Sequence, residues 1–305
     1  MLTAIVPLYN EEKDILSFHN ALSRLPIVEN IIYVDDGSSD ETLRRLRSIV
    51  SSPIESKAKY ISLGRNYGKE IALLCGLDHC NKKSDIVVLD GDGQHPVEVI
   101  AALYGHLSQD IDVVFASRTG RRYQGLVSRF LSKGYYWILR SITGVKVDDE
   151  LGDFFCAKAD YAKALRLYRS PSLFFKCVYP DVGFRIAKLP VAIGNDSRPS
   201  RFGKRKKLLI ASSSIFYTSG LPLRVIAPLG FLVSAVSVIA LLIILIQFAY
   251  GASTPPGYLT IAFLINFYSG IIILILGILA RYLELAMRDA LRKPIYTVKE
   301  RCSSH

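Results

Sequence analysis

The sequence predicts an α/β fold, in which a mostly parallel sheet covered by helices is followed by two apolar helices. Over the first 190 residues, short apolar runs rich in β-branched residues alternate with helical patterns, as in chains that build parallel sheets. Polar and acidic residues follow several of these runs directly. Two later runs of more than 20 residues carry no charge, and a helix that spans a bilayer needs about 20.

Five strands are expected before residue 120. The first run, residues 2–8, is continuously apolar and therefore predicts a buried strand. Further strands are predicted at residues 31–34, 60–63, 86–89 and 112–116, and helices up to about residue 25 and at residues 41–49, 71–80 and 97–107. Ligands of open α/β sheets bind beyond the carboxyl ends of the strands. The segments that follow these strands are therefore the expected site.

The second half of the chain predicts helices at residues 125–143 and 159–168 and a strand at residues 183–191. Residues 198–207 contain six cations and no acid, and a polybasic stretch beside a membrane attracts anionic headgroups. Residues 208–221 predict an interfacial helix. The charge-free runs at residues 225–250 and 258–280 predict two transmembrane helices.

Four regions follow from this pattern. We expect a cytoplasmic α/β domain at residues 1–207, an interfacial helix at 208–224, two transmembrane helices within 225–283 and a basic tail at 284–305. Cations flank the outer ends of the apolar pair, and positive charge favours the cytoplasmic side. The predicted location is therefore the cytoplasmic membrane, crossed more than once, with the α/β domain and both termini in the cytoplasm.

The net charge of +11 predicts an anionic partner. Nucleic acid is not expected, because no recognition motif accompanies the charge. Glycine-rich phosphate-binding motifs are also absent from the sequence. A bound diphosphate would therefore be neutralised by a metal and by basic side chains.

The segment after the fourth strand, Asp90-Gly91-Asp92-Gly93-Gln94-His95-Pro96, carries the clearest chemical signal. Two carboxylates stand two residues apart where the strand should end. Such oxygen ligands suit Mg²⁺ or Mn²⁺, which also hold waters and substrate phosphates. A solvated acidic turn is the alternative for an isolated motif of this length.

Three other motifs occur at predicted strand ends: Ile5-Val6-Pro7-Leu8-Tyr9-Asn10-Glu11-Glu12, Val34-Asp35-Asp36-Gly37-Ser38-Ser39-Asp40 and Arg65-Asn66-Tyr67-Gly68-Lys69-Glu70. Together with the acidic segment, the apolar pair and the basic tail, they resemble glycosyltransferase family 2. More narrowly, the chain resembles the polyprenyl-phosphate glycosyltransferases, which include bactoprenol glucosyltransferases and dolichyl-phosphate mannose synthases. The resemblance covers essentially the whole chain. It implies a GT-A fold, a nucleotide-diphosphate sugar donor and a divalent metal, Mg²⁺ or Mn²⁺.

The resemblance also implies roles for individual residues. The expected catalytic residues are Asp92, as the metal ligand, and Asp153, as a base or an orienting group. The nucleotide sugar would be bound by Pro7, Tyr9, Glu11, Asp36, Lys69, Asp90 and Gln94. The acceptor phosphate would be bound by Arg118, Arg201, Lys204 and Lys206. Phe155 departs from the family, which usually has Arg there, so Arg118, Arg121 or residues 201–207 would have to replace that contact.

The implied reaction is inverting attack by a polyprenyl-phosphate oxygen on the anomeric carbon of the donor sugar. UDP-glucose and undecaprenyl phosphate are the expected substrates, and membrane lipids and a second copy of the chain are the other expected partners. Three alternatives stay open. They are a membrane-anchored scaffold without activity, favoured only by Phe155, a mannose synthase that uses GDP-mannose, and a processive polysaccharide synthase. The last usually carries a Gln-x-x-Arg-Trp segment, which this sequence lacks.

Overall fold

The computed structural model describes residues 1–51, 57–118, 151–170, 173, 175–191 and 294–303, together with scattered positions between 246 and 287. Its strands are β1 (Leu2–Leu8), β2 (Val28–Asp35), β3 (Ala58–Leu63), β4 (Asp85–Val88), β5 (Val113–Arg118), β6 (Phe155–Ala157), β7 (Ile186–Val191) and β8 (Val298–Ser303). The helices with described bounds are α1 (Ile15–Ser23), α2 (Thr42–Val50), α3 (Lys69–His79), α4 (Val99–Gly105), α5 (Ala159–Leu165) and α6 (Phe175–Asp181). The predicted helices at residues 125–143 and 208–221 lie outside the described residues.

All of these strands belong to one sheet in the order β7-β5-β6-β4-β1-β2-β3-β8. β1 pairs in parallel with both β2 and β4, β2 with β3, and β5 with β7. β6 is antiparallel to β4 and β5, and β8 is antiparallel to β3. The predicted mostly parallel sheet is therefore confirmed. The sequence predicted neither of the two antiparallel strands.

Helices cover both faces of the sheet, which explains why its strands are continuously apolar. Ala4 and Val6 of β1 face the core under α1, α2 and α4, whereas Ile5, between them, faces the core under α3, α5 and α6. All three side chains are fully buried. The alternation follows from the two-residue period of a strand.

The chain divides into two compact units. The first contains Met1–Arg205 and Pro294–His305, and the second contains Lys206–Lys293. The predicted basic tail therefore includes an edge strand, β8, of the first unit's sheet. The other predicted regional boundaries fall outside the described residues and stay predictions.

The predicted location in the cytoplasmic membrane must be corrected. In the part of the chain that the structure describes, no helix has both the length and the apolarity needed to cross a bilayer. The longest helix with described bounds, α3, has 11 residues, whereas a span needs about 20. This finding overturns the multi-pass location. Most of the two charge-free runs lie outside the described residues.

Gly76 of α3 lies against β1 and leaves no room for a side chain. A Cβ atom there would lie 2.3 Å from Cγ2 of Ile5, too close for two carbon atoms. Gly105, at the end of α4, would instead meet no atom within 4 Å. Both glycines are helical, and they differ in the space that is available for a side chain.

We expect Gly76→Ala to lower the free energy of unfolding by about 1–3 kcal/mol, because the added methyl group overpacks a filled core. Gly105→Ala is the matched control and should change it by no more than about 1 kcal/mol, in the stabilising direction. Denaturant unfolding of both variants measures the difference. Equal stability of the two variants would contradict the close packing of α3 on β1.

Candidate active site

Lys69, the first residue of α3, holds together two acidic segments at the carboxyl edge of the sheet. Its Nζ lies 2.6 Å from Oδ1 of Asp90, which follows β4, and 2.8 Å from Oδ2 of Asp153, which precedes β6. The structure thus brings together three of the predicted site residues. We call Lys69, Glu70, Asp90 and Asp153 the Lys69 cluster.

The charges in the Lys69 cluster shift each other's pKa values strongly. Burial alone would lower the pKa of Lys69, but Asp90 and Asp153 outweigh it and raise that pKa. Burial would likewise raise the pKa of Asp153, yet Lys69, helped by Lys176 of α6, lowers it to about 2. Lys69 is therefore ammonium and Asp153 carboxylate throughout the neutral range.

Glu70 has the opposite behaviour. Burial, reinforced by the charge of Asp153, raises the pKa of Glu70 to about 8, although Lys69 and a backbone hydrogen bond from Phe175 act against the rise. Glu70 therefore keeps its proton at neutral pH and adds no negative charge to the cluster. Glu70 is not among the site residues predicted from the sequence. Its one signal was its place directly after Lys69, and burial by α6 is not visible in that motif.

His95 supports the loop that carries Asp90. Its Nδ1 accepts a hydrogen bond from the backbone N–H of Asp90 at 3.1 Å, and its ring stacks on Phe154 with centroids 4.8 Å apart. Burial lowers the pKa of His95, which agrees with a neutral ring that accepts at Nδ1. Gly91 lies against β1, where a Cβ atom would come 2.1 Å from Cδ2 of Leu8. Only glycine fits between the two acids.

Asp92 differs from Asp90 and Asp153 because its charge has no described counter-ion. Its Oδ1 accepts the backbone N–H of Gln94 at 3.1 Å, and among the described residues it forms no ion pair with Lys or Arg. No three Cys, His or acidic side chains of the described part of the chain cluster into a complete metal site. A single carboxylate with an unused oxygen nevertheless fits Mg²⁺, which proteins often bind through one or two carboxylates plus substrate phosphates.

Asp36, which follows β2, is 2% exposed and is held by the loop before α3. Its Oδ1 accepts the backbone N–H of Tyr67 at 2.7 Å, and its Oδ2 accepts that of Gly68 at 2.8 Å. Burial raises the pKa of Asp36, and these two donors oppose the rise. The close approach of the loops requires glycine at position 37, where φ is +66° and a Cβ atom would lie 2.6 Å from the carbonyl carbon of Arg65.

The segments after β1 and β2 are joined by Asn10. Its N–H donates to Oγ of Ser38 at 3.0 Å, and its Oδ1 accepts the N–H of Ser39 at 2.9 Å. Asn10 needs a φ of +55° to do this, and asparagine tolerates that conformation better than most residues. In the same region Glu11 is buried, and its N–H donates to Oγ1 of Thr42 at 2.8 Å.

The remaining predicted site residues divide into two groups. Pro7 is buried within β1, where it pairs with β2, and Tyr9 just beyond it is 40% exposed. Arg118 ends β5, but its side chain lies outside the described residues. Arg201, Lys204 and Lys206 lie entirely outside the described residues. The structure therefore describes the predicted donor side, and the acceptor side stays a prediction.

Comparison with known proteins gives a consistent result. The model of the family described as glycosyl transferase family 2 matches residues 3–162. An uncharacterized glycosyltransferase of Synechocystis sp. is 30% identical over 309 aligned residues, and the alignment covers 98% of this chain and 95% of that protein. The bactoprenol glucosyl transferase of Shigella phage SfX is 27% identical over 306 residues, which cover 98% of this chain and 99% of that protein.

Among solved structures, mannosyl-3-phosphoglycerate synthase from Rubrobacter xylanophilus is similar with a TM-score of 0.50. The match covers 70% of this chain and 71% of that chain at 15% sequence identity. At this identity the similarity concerns the fold alone.

We expect Lys69→Met to raise the pKa of Asp153 above its ordinary value, because burial would remain while the main compensating charge is lost. Carbon-13 NMR titration of the aspartate carboxyl groups measures the shift. Lys158→Met is the matched control, since Lys158 forms a comparable ion pair with Asp112 at 2.9 Å. A pKa of Asp153 that stays near 2 in the Lys69 variant would contradict the account of the cluster.

The raised pKa of Glu70 predicts that the free energy of unfolding declines as the pH rises. Because folding raises the pKa of Glu70 from 4.5 to about 8, the unfolded chain releases a proton within this window that the folded chain keeps. Its contribution to the free energy of unfolding therefore falls as the pH rises from about 4.5 to 8. Glu70→Gln cannot ionise and should lose this part of the decline.

Thermal unfolding across this pH range measures the effect. Glu41→Gln, which removes an exposed carboxyl group with 57% side-chain exposure, is the control and should keep the wild-type decline. Parallel pH profiles of Glu70→Gln and the wild type would show that Glu70 ionises normally in the fold.

Proposed function

The chain belongs to glycosyl transferase family 2, and we propose that it transfers a hexosyl group from a UDP-sugar to a polyprenyl phosphate with inversion at the anomeric carbon. Glucose is the proposed sugar. The proposal is supported by the name and the nearly full-length match of the bactoprenol glucosyl transferase of Shigella phage SfX. The family and the mostly parallel sheet make the protein a glycosyltransferase of GT-A type.

One observation carries the proposal: Asp92, a carboxylate without a counter-ion among the described residues, follows the same strand as Asp90, which already pairs with Lys69. In the proposed reaction, the diphosphate of the donor and the phosphate of the acceptor must come close together. Two unit charges about 4 Å apart repel by about 4 kcal/mol at an effective dielectric constant near 20. A site for this reaction therefore needs cations on both anions, and an acid that is left without a counter-ion can supply one of them by holding a metal.

Donor binding is assigned to the segments after β1, β2 and β4. Both carboxylate oxygens of Asp36 accept backbone N–H groups, and each has a further lone pair for a donor group of the nucleoside. The exposed ring of Tyr9 offers a flat apolar surface beside it. Asp90 would lie toward the ribose and the diphosphate, with Gln94 alongside.

Mg²⁺ or Mn²⁺, held by Asp92, would act as a Lewis acid on the leaving diphosphate. Lys69 would contribute a second positive charge near the diphosphate. Its ammonium group has three N–H donors, and two of them are used by Asp90 and Asp153. The third has no partner among the described residues and would be available to a phosphate oxygen.

Asp153 is proposed as an orienting group and not as a general base. A carboxylate with a pKa of about 2 binds protons too weakly to take one efficiently at neutral pH. The reaction does not need a base, because the attacking phosphate oxygen is already ionised. Asp153 instead fixes the position of Lys69.

Phe155, the one feature that favours an inactive scaffold, has a structural explanation. Phe155 is fully buried in β6, and its ring packs against Phe115 and Tyr179 at centroid distances of 4.9 and 5.2 Å. Phe155 therefore has a packing role, and its presence does not disrupt the Lys69 cluster.

We expect the purified full-length chain to form a lipid-linked sugar from UDP-glucose and undecaprenyl phosphate in detergent with Mg²⁺ or Mn²⁺. Asp92→Asn should lower the rate by about 100-fold or more, because it weakens metal binding at the leaving group. Asp110→Asn, which removes an acid with 92% side-chain exposure, should keep the wild-type rate. A panel with UDP-galactose, GDP-mannose and GDP-glucose tests the sugar and the base.

Absence of lipid-linked sugar with every donor would contradict the proposed reaction. Wild-type activity of Asp92→Asn would contradict the assignment of the metal ligand while leaving the reaction in place.

A further inference from the structure

Residues 294–303, here called the C-terminal strap, lie along the edge of the sheet in the first unit. β8 pairs with β3, so that Lys59 lies opposite Ser303 and Leu63 opposite Val298. Glu300 forms an ion pair with Arg47 at 2.5 Å. Backbone pairing and side-chain contacts therefore hold the strap on the sheet.

The residue just before β8 contacts the loop that precedes α3. The carbonyl oxygen of Thr297 accepts the N–H of Gly64 at 2.8 Å, and the hydroxyl groups of Thr297 and Tyr67 lie 2.9 Å apart. The fit is close, because a Cβ atom at Gly64 would lie 2.7 Å from Oγ1 of Thr297. The strap and residues 64–68 thus contact each other through backbone and side chains.

Tyr67 connects this contact to the site. Its hydroxyl group pairs with Thr297, and its backbone N–H donates to Oδ1 of Asp36 at 2.7 Å. The guanidinium group of Arg65 lies over the Tyr67 ring, 4.3 Å from the centroid, and limits its movement. A displacement of the Tyr67 side chain would therefore also move the donor that holds Asp36.

From these contacts we propose that Thr297 is a positioning residue for the donor nucleotide. It acts through Tyr67, whose N–H fixes the carboxylate of Asp36, and it does not itself touch the substrate. The inference rests on the proposed function, because it takes Asp36 to line the donor site. Thr297 is accordingly part of the nucleotide-positioning machinery, although it follows the second unit in the chain.

The test compares Thr297→Val and Tyr67→Phe, each of which removes one hydroxyl group at nearly constant shape. Both should weaken the binding of UDP by about threefold, the effect of losing one exposed hydrogen bond. They should also raise the KM for UDP-glucose with little change in kcat. The double variant should be no weaker than either single variant, because both changes remove the same interaction. Val298→Thr, at the next position in the strap, is the matched control and should bind UDP like the wild type.

Titration calorimetry with UDP and Mn²⁺, well below the unfolding temperature of every variant, measures the affinities. Wild-type affinity of Thr297→Val, additive effects in the double variant, or a lowered Tm without a change in affinity would overturn the inference. Asp36→Asn separates this failure from failure of the proposed function. If Asp36→Asn binds UDP like the wild type, the donor-site assignment is wrong. If it binds weakly while Thr297→Val does not, only the role of Thr297 is wrong.

Discussion

The ammonium group of Lys69 allows two carboxylates from distant parts of the sequence to lie together at the carboxyl edge of the sheet. Asp90 and Asp153 would repel each other, and burial would drive Asp153 toward the neutral form. With Lys69 between them, the two carboxylates stay in position, and Asp153 keeps its charge. The proton on Glu70 limits the negative charge further. The cluster thus presents ordered charged groups to a ligand that is itself strongly anionic.

In this arrangement the surroundings of each acid, and not its residue type, decide whether it is ionised at neutral pH. The pKa of Asp153 is lowered to about 2 and that of Glu70 is raised to about 8, although the charge of Lys69 acts on both groups. Such divergence is typical of sites where one acid must stay ionised and another must stay neutral. Asp92 has a third environment, in which its charge has no partner among the described residues, and in the proposed function it would hold the metal.

Much of the fold could be predicted from the sequence, as could the edge of the sheet at which the acids lie. The apolar strands are continuous because the sheet is covered on both faces, and the acids after β1, β2 and β4 lie at one edge because parallel strands end there. The three-residue strand β6 was not predictable, because it is too short to show a period. The partner of β8 was not predictable either, because its pairing with β3 is non-local. The protonation of Glu70 depends on α6, which no local motif reveals.

The edge position of β8 has a consequence for biosynthesis. Because β8 follows residues 206–293 in the chain, the ribosome completes that whole stretch before β3 can acquire its outer neighbour. During this interval the backbone groups of β3 stay open to other extended chains, and such open edges promote aggregation. The outer edge of β3 is therefore covered late in synthesis, after residues 206–293 have been made.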